Sequence, residues 1–248
     1  MKVEIIGVKG IPEVHRGSKL AELIIDSIKK MGIELQNGDI IVVTQKIVSK
    51  AEGRLIKIDE IIPSKLAIRM GRLFKKDPRL MEVILNEAKR IVKMARAIII
   101  VETKHGFICA NGGVDQSNIP KGFVSLLPVN PDRSAKRIRD DIKRLLGIDV
   151  AVIISDTFGR PWREGHVDVA IGVAGLKPLI DYRGQKDTHG YELKVTMMAI
   201  ADELASAAEL VMGKLNNIPV AIIRGYPYPK GEGSARELVR RASKDLFR

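Results

Sequence analysis

The sequence is poor in cysteine and in aromatic residues. Cys109 is its only cysteine, and Phe, Trp and Tyr together make up 4% of the 248 residues. A single cysteine excludes a disulfide within the chain and suits a reducing compartment. Few aromatic side chains argue against single-stranded nucleic-acid binding, which relies on aromatic platforms for the bases.

Long apolar runs and targeting signals are also absent. No apolar stretch approaches the roughly 18 residues that a membrane-spanning helix needs. Met1 leads directly into an alternating, strand-like run instead of a signal peptide. We therefore expect a cytoplasmic protein without a membrane partner.

Several well-known site motifs are missing. The sequence has no G-x-x-x-x-G-K-[ST] phosphate loop, no dinucleotide fingerprint and no protein-kinase set. The histidines are scattered, and together with Cys109 they lack the ligand spacing of a zinc site. The four histidines are His15, His105, His166 and His189.

The sequence does have a globular composition with a strong positive charge. Hydrophobic residues make up 45% and charged residues 29%, which is enough for a hydrophobic core, and the net charge is +12. A basic chain favours anionic partners, such as nucleic acid, membrane or phosphorylated small molecules. Residues 65–93 hold nine basic and three acidic residues. This segment is either a solvated helical surface or a patch facing phosphate or RNA.

The hydrophobic pattern predicts a mixed α+β (mixed α/β) fold. Helices and strands alternate without a regular βαβ rhythm, which argues against a doubly wound sheet. The glycine-rich segment 106–128 indicates a change between two lobes of one unit that spans residues 1–248. The predicted strands are residues 3–8, 39–44, 54–58, 97–102, 107–110, 150–155, 167–174 and 220–224, and the predicted helices are residues 18–30, 63–74, 78–94, 134–146, 191–214 and 235–246.

A first candidate site runs from Asn111 to Asn118. Gly112 and Gly113 allow a sharp turn and a close backbone approach to a ligand. Asp115 is a hard oxygen ligand suited to Mg²⁺ or Mn²⁺, and the Asn118 amide could bind a base or a ribose. The same residues would also make an ordinary polar turn.

A second candidate site follows the apolar strand at residues 150–155. Asp156 and Thr157 offer oxygen ligands to a metal, while Arg160 and Arg163 carry planar donors that suit phosphate or carboxylate. Residues just beyond a strand end often line a site. A structural loop with surface arginines remains the alternative.

Two later segments are weaker candidates. In the predicted helix 191–214, the stripe Leu193, Met197, Ile200, Leu204, Ala207 and Val211 is apolar. Asp202 and Glu209 fall on the opposite, wet face, and Glu203 falls at the edge of the stripe, either aimed at a cleft or an ordinary boundary residue. Residues 230–234 form either a capped loop, with Ser234 as N-cap, or a substrate loop. Unaided, these residues favour phosphoryl transfer by metal-binding carboxylates and anion-binding arginines.

Five segments in this order resemble the coenzyme F420-0:gamma-glutamyl ligase family. Any one of them is weak, but together they span nearly the whole chain. They are Gly10-Ile11-Pro12-Glu13, the run Thr44-Gln45-Lys46-Ile47-Val48-Ser49-Lys50-Ala51-Glu52-Gly53, residues 111–118, residues 155–163 and residues 201–211.

The resemblance implies an enzyme that uses GTP and two Mg²⁺ or Mn²⁺ ions, with K⁺ as a further cation, to add L-glutamate to F420-0. The gamma-linked amide would form through an acyl phosphate, and a second glutamate could follow. The resemblance also implies an intertwined homodimer that binds no nucleic acid.

The resemblance assigns roles to particular residues. Asp115 and Asp156 would bind one metal, and Thr157 and Glu203 the other. Arg160 and Arg163, with the lysines, would attract and orient the anionic substrates. The expected GTP contacts are Gly10, Ile11, Pro12, Glu13, Gln45, Lys46, Lys50, Asn118, Ala201, Asp202, Glu203, Leu204, Ala205, Ser206, Ala207 and Ala208.

Other functions stay open at this point. One is a metal-dependent, nucleotide-using carboxylate–amine ligase or kinase with a different substrate, which would need the same site. Another is a basic RNA-binding protein that uses residues 65–93, and a third is a purely structural dimer.

Overall fold

The computed structural model describes residues 1–246 and contains a mixture of helices and strands. The expected mixed α+β class is confirmed. In the described part of the chain, no helix has the length and apolar character needed to cross a membrane. The strands are β1 (Glu4–Gly7), β2 (Ile40–Thr44), β3 (Leu55–Lys57), β4 (Ala88–Ala95), β5 (Ile98–Thr103), β6 (Ile108–Ala110), β7 (Phe123–Ser125), β8 (Ala151–Arg160), β9 (Arg163–Ala174), β10 (Ile180–Asp181), β11 (Met197–Met198) and β12 (Val220–Arg224), and the α-helices are α1 (Leu20–Lys30), α2 (Gln45–Ala51), α3 (Lys65–Phe74), α4 (Pro78–Glu87), α5 (Pro131–Leu146) and α6 (Ile200–Met212).

A five-stranded sheet with the order β1-β12-β2-β8-β9 forms the centre of the molecule. Only β2 and β8 are parallel; the other neighbours are antiparallel, so the sheet is not doubly wound. Successive residues of β2 face opposite sides, as the two-residue period of a strand requires. Ile41 and Val43 join a core with α1 and α5, whereas Ile40 and Val42 join a core with α6.

A smaller lobe, residues 55–126, has its own hydrophobic core. It contains α3, α4, the pair β3-β7 and the sheet β4-β5-β6. Met81, Ile84 and Ile99 are fully buried there. This core is separate from the two cores on either side of the central sheet. The lobe change predicted at residues 106–128 stays a prediction.

The predicted helix at residues 78–94 is wrong in its second half. Asp77 caps the helix and Pro78 occupies its first turn, but α4 ends at Glu87 and β4 follows at once. Strand β4 pairs with β5 over its whole length, with two register shifts. The partner strand is formed later in the sequence, so local periodicity could not reveal this pairing.

The predicted helix at residues 191–214 begins nine residues later than expected, at Ile200. Met197 and Met198 instead form β11, which pairs with β10. Leu193 and Met197 therefore do not belong to the apolar stripe of α6. The longest helix in the described residues is α5, with 16 residues.

The predicted closing helix at residues 235–246 consists of two short 3₁₀ turns instead, Ala235–Leu238 and Ala242–Lys244. The N-cap expected at Ser234 is confirmed: its hydroxyl accepts a hydrogen bond from the Arg236 N–H, and Glu237 completes a capping box. The Asp132 carboxylate accepts hydrogen bonds from Ser234 and Ala235, which fixes this turn against α5.

Candidate active site

A cavity of about 830 Å³ lies between one edge of the central sheet and the smaller lobe. Distant parts of the chain meet there. The lining consists of residues 11–14, 44–47, 50, 109–111, 113–115, 117–118, 155–159, 166, 168, 213–214 and 217–219.

The parallel pair β2–β8 explains why the cavity lies at this edge. Thr44 is opposite Ser155 in the register, and both strands run in the same direction. Residues that follow the carboxyl ends of parallel strands meet at one edge of a sheet. Lys46, in the first turn of α2, is thereby brought near Asp156 and Thr157.

Lys46 connects the central sheet to the 115–118 turn. Its ammonium donates to Asp115 Oδ2 over 2.5 Å, and to the carbonyl and hydroxyl oxygens of Ser117 over 2.8 and 2.7 Å. Burial acts to raise the pKa of Asp115, but the hydrogen bonds from Lys46 and Ser117 outweigh it and hold this pKa below its ordinary value. The Asp115 carboxylate is therefore ionised at neutral pH.

Asp156 lies in a different electrostatic environment. Burial raises its pKa to about 7, and the nearby carboxylates of Asp168 and Asp115 act in the same direction. The Thr157 N–H and the Lys46 ammonium offset only part of this shift. A cation beside Asp156 would favour its ionised form.

The strand that carries Asp156 does not end where the sequence predicts. Residues 156–165 are not a loop: β8 continues to Arg160 and turns back into β9 as a hairpin. Thr157 pairs with Asp168 across this hairpin, and the Thr157 hydroxyl donates to Asp168 Oδ1 over 2.6 Å. The side chain of Thr157 is thus fixed by a regular ladder.

Asp168 is a site residue that the sequence analysis missed. It is only 2% exposed, and its carboxylate accepts hydrogen bonds from Ser155 over 3.0 Å and from Thr157. The Ser206 hydroxyl donates to its backbone carbonyl over 2.7 Å, which links it to α6. A charged residue within an otherwise apolar predicted strand was the signal that could have revealed it.

The cavity also holds charged groups near its entrance. Lys50 Nζ lies 2.6 Å from Glu13 Oε1, joining α2 to the turn at residues 11–14. Gly10, with a φ of 76°, allows the backbone to enter this turn. Gly10 itself does not line the cavity; its carbonyl accepts a hydrogen bond from Ser27.

The oxygen donors suit a divalent cation that is shared with a phosphate. In residues 1–246, no group of three or more His, Cys, Asp or Glu side chains is arranged as a metal cage. Asp115, Asp156 and the Thr157 hydroxyl nevertheless line one cavity. Mg²⁺ is commonly held by one or two carboxylates together with substrate phosphates and water, so this donor set fits it.

Comparison with known proteins identifies, over nearly the whole chain, the family that the five sequence segments resemble. The sequence model described as F420-0:Gamma-glutamyl ligase matches residues 8–225. The chain belongs to this ligase family. It is 51% identical to the coenzyme F420:L-glutamate ligase of Methanocaldococcus jannaschii, over 100% of this chain and 97% of the relative. Identity to the proteins of the same name is 46% in Methanothermobacter thermautotrophicus, with 100% of both chains covered, and 48% in Methanopyrus kandleri, with 95% and 94% covered.

Ten of the 21 residues to which the family resemblance gives a role line this cavity. The cavity brings the two separate sequence motifs around Asp115 and Asp156 to one place. The predicted residues that line it are Ile11, Pro12, Glu13, Gln45, Lys46, Lys50, Asp115, Asn118, Asp156 and Thr157.

Arg160 and Arg163 do not line the cavity of this ligase-family chain. They lie at the turn of the β8–β9 hairpin, where Arg160 donates to the carbonyl of Glu164 and Arg163 is exposed. They are close in sequence to Thr157, but the extended strand carries them away from it. Their catalytic role remains a prediction.

The α6 residues also lie outside the cavity lining. Ala201, Leu204, Ala205 and Ala208 are buried in the core against the sheet. Glu203 is exposed, near Asp202 and Tyr226, and is not brought together with Thr157. Ser206 reaches Asp168, and Ala207 is half-buried.

Asp202 was predicted to lie on the solvent-exposed face of the helix, and it does not. It is half-buried, and its carboxylate accepts the Ala170 N–H over 2.9 Å. Burial raises its pKa above the ordinary value. Helix α6 packs against β9, and the side of the helix that carries Asp202 also contacts this strand through the Ala170 N–H.

The loop after α6 forms a cavity wall that the sequence analysis also missed. Lys214 and Asn217 line the cavity from this loop, and the Asn118 amide donates to the Lys214 carbonyl over 3.5 Å. Gly213 opens the loop with a φ of 58°, where a Cβ atom would lie 2.6 Å from the Asn216 side chain. A glycine after an apolar helix was the available sequence signal.

Proposed function

We propose that this chain joins L-glutamate to coenzyme F420-0 by a gamma-linked amide in coenzyme F420 biosynthesis, with GTP as phosphoryl donor, and that it adds a second glutamate. The observation that carries the proposal is the cavity in which Asp115, Asp156 and Thr157 meet Lys46 and Lys50. Such a cavity suits three anionic substrates and a phosphate-bound cation. The description of the family supplies the acceptor F420-0, and the names of the relatives supply L-glutamate.

The proposed reaction overcomes the poor electrophilicity of a free carboxylate. An oxygen of the F420-0 carboxylate bonds to the gamma-phosphorus of GTP while the bond to the GDP oxygen breaks, which gives an acyl phosphate and GDP. The amine of glutamate then attacks the acyl carbon, phosphate leaves with the bonding electrons, and the amine releases a proton. Such phosphoryl transfer depends mainly on positioning and charge neutralisation.

The side chains of this site divide that work. Lys46 and Lys50 attract and neutralise the triphosphate. Asn118 and the turn at residues 11–14 hold the nucleoside. Asp115, Asp156 and Thr157 would hold Mg²⁺ or Mn²⁺, and the bound cation would neutralise phosphate oxygens. Thr157 and Glu203 would hold a second ion only after a movement that brings Glu203 into the cavity, because Glu203 lies outside the cavity lining. Arg160 and Arg163 would likewise orient the substrate carboxylates only if the β8–β9 turn moved towards the cavity. K⁺ is a further proposed cation, and no residue is assigned to it.

Product mass tests the proposal directly. The purified protein is incubated with F420-0, L-glutamate, GTP and Mn²⁺, and the product is followed by mass spectrometry. We expect a gain of one and then two glutamyl units that requires both GTP and metal, with slower reaction when ATP replaces GTP. A folded protein that gives no mass change with F420-0 but modifies another carboxylate would show that the acceptor is wrong.

We also propose that the enzyme works as a homodimer in the cytoplasm. The family resemblance and the single buried cysteine support these two points. Light scattering on the purified protein should give twice the 27.4 kDa chain mass. A monomer with full ligase activity would refute the dimer.

A further inference from the structure

Lys214 has a placement in the cavity that none of the assigned roles explains. Its ammonium donates to the Thr157 hydroxyl oxygen and lies 3.2 Å from Asp168 Oδ1 and 3.8 Å from Glu209 Oε1. The loop that carries it is held by the backbone of Gly213 and by Asn118. The ammonium therefore contacts the β8–β9 hairpin, whereas the Lys46 ammonium contacts the 115–118 turn.

Lys214 differs from the other cavity lysines in how easily it can move. Its side chain is 54% exposed, whereas those of Lys46 and Lys50 are 18% and 11% exposed. A long, exposed lysine side chain reorients at low cost, while enclosed ones are fixed by their surroundings. Among these three lysines, Lys214 is the one that is free to follow a ligand.

The carboxylate partner of Lys214 does not depend on it. Asp168 keeps the hydroxyl hydrogen bonds from Ser155 and Thr157 when the ammonium leaves. The Thr157 hydroxyl has a single proton, which is directed to Asp168, so its lone pairs are available to a cation. The position that Lys214 takes at Thr157 is thus one at which a positive charge is stabilised.

We propose that Lys214 binds a terminal phosphate of the nucleoside triphosphate, moving from Thr157 to the phosphate as the nucleotide and its cation enter. The triphosphate would then lie between Lys46 on one wall and Lys214 on the other. This inference rests on the proposed function, since it assumes that the cavity takes a triphosphate. It adds a contact that discriminates triphosphate from monophosphate.

Nucleotide binding by the variant Lys214→Met tests this inference. Dissociation constants for GTP and GMP are measured by calorimetry on the full-length protein, first in EDTA and then with Mn²⁺. Loss of a charge-assisted hydrogen bond predicts about ten- to hundred-fold weaker GTP binding. GMP binding should change less than about threefold, because GMP lacks the terminal phosphates. Lys214→Arg should recover part of the GTP affinity.

A matched control is Lys30→Met, which removes an exposed lysine at the end of α1. It should leave both affinities unchanged. Thermal unfolding of both variants should match the unsubstituted protein, because the Lys214 side chain is largely exposed.

The outcomes separate this inference from the proposed function. Equal loss of GTP and GMP affinity, or unchanged GTP affinity, in folded Lys214→Met would overturn the phosphate contact. Failure of the unsubstituted protein to bind GTP or extend F420-0 would instead refute the proposed function. If the unsubstituted enzyme extends F420-0 and the variant does so with the same KM for GTP, the proposed role of Lys214 is refuted and the proposed function stands.

Discussion

At the scale of single residues, the site combines two carboxylates with opposite properties. Asp115 is held ionised by Lys46 and Ser117, whereas burial and neighbouring acids raise the pKa of Asp156. A divalent cation would resolve this contrast, since it favours the charged form of both groups. Binding a cation would require Asp156 to be ionised, whereas burial without a cation favours its protonated form.

We predict that Asp156→Ala abolishes ligase turnover, because it removes a proposed cation-binding oxygen from the cavity lining. Loss of a group that positions transition-state charge typically lowers kcat about 10²- to 10³-fold or more. Turnover is measured by product mass, and folding by circular dichroism. Asp26→Asn, on an exposed part of α1, serves as control and should retain activity. Near-normal turnover in folded Asp156→Ala would contradict the metal role.

We predict that Asp156→Asn stabilises the metal-free protein, and more so at high pH. The carboxyl pKa rises from 3.8 to about 7 on folding, so between these values the folded protein holds a proton that the unfolded chain has released. The contribution of this group to stability therefore falls as pH rises through that window and stays low above it. Asparagine carries no charge and avoids this loss.

Urea unfolding in EDTA measures this effect at pH 5.5 and pH 8. The stability difference between Asp156→Asn and the unsubstituted protein should be larger at pH 8, and Asp26→Asn should show no such difference. A variant that is less stable at both pH values would show that the buried carboxylate is satisfied without a cation.

At the scale of elements, close packing between α5 and β9 supports the hairpin that carries the site. A Cβ atom on Gly172 would lie 2.5 Å from the Pro131 carbonyl carbon and oxygen, so only glycine lets the helix start approach the strand. The Val173 N–H donates to Asp132 in the same region over 2.9 Å. The start of α5 thus fixes the position of β9.

We predict that Gly172→Ala destabilises the protein by about 1–3 kcal/mol, the usual cost of overpacking a well-filled core. Gly159→Ala is a matched control in the same hairpin, because the nearest atom to its added Cβ would be 4.0 Å away. Urea unfolding compares the two. Equal stability of both variants would mean that α5 shifts without cost, and the packing argument would fail.

Sequence patterns predicted the elements that are marked by a local feature, such as a run of β-branched residues or a helix cap. The buried β2 run and the Asp77-Pro78 helix start are visible in sequence because β-branched runs and helix caps are local features. The β4 strand and the late start of α6 were not visible. Strand β4 is exposed along most of its length, so no two-residue alternation of apolar residues marks it as a strand. The late start of α6 depends on the β10–β11 pair, which joins residues 180–181 to residues 197–198.

At the scale of the whole molecule, the charge of +12 matches a set of anionic substrates. Part of the basic segment 65–93 is already engaged: Arg79 pairs with Asp77 and Asp59, and Lys89 and Arg90 pair with Glu102. Arg69 and Arg72 on α3 are exposed. The overall charge therefore acts mainly as a long-range field, which salt screens.

We predict that kcat/KM for GTP falls several-fold as KCl rises from about 0.05 M to about 0.5 M, where the Debye length shrinks from about 14 Å to about 4 Å. Initial rates at low GTP measure this. Arg69→Glu/Arg72→Glu, remote from the cavity, should leave kcat unchanged. A value of kcat/KM that does not vary with salt would refute steering, and tight RNA binding lost in the double variant would favour the RNA-binding alternative.

The sequence by itself determined the mixed fold class, the family and ten of the 29 residues that line the cavity, because short motifs carry the turn residues, carboxylates and lysines of the candidate site. Only the tertiary structure decided that Asp168 and Lys214 line the same cavity, that Arg160 and Arg163 lie beyond its lining, and that α6 buries four of its eight predicted contact residues. The reason is physical: a strand pairing or a helix packing face is set by a partner distant along the chain, and no local pattern records which partner that is.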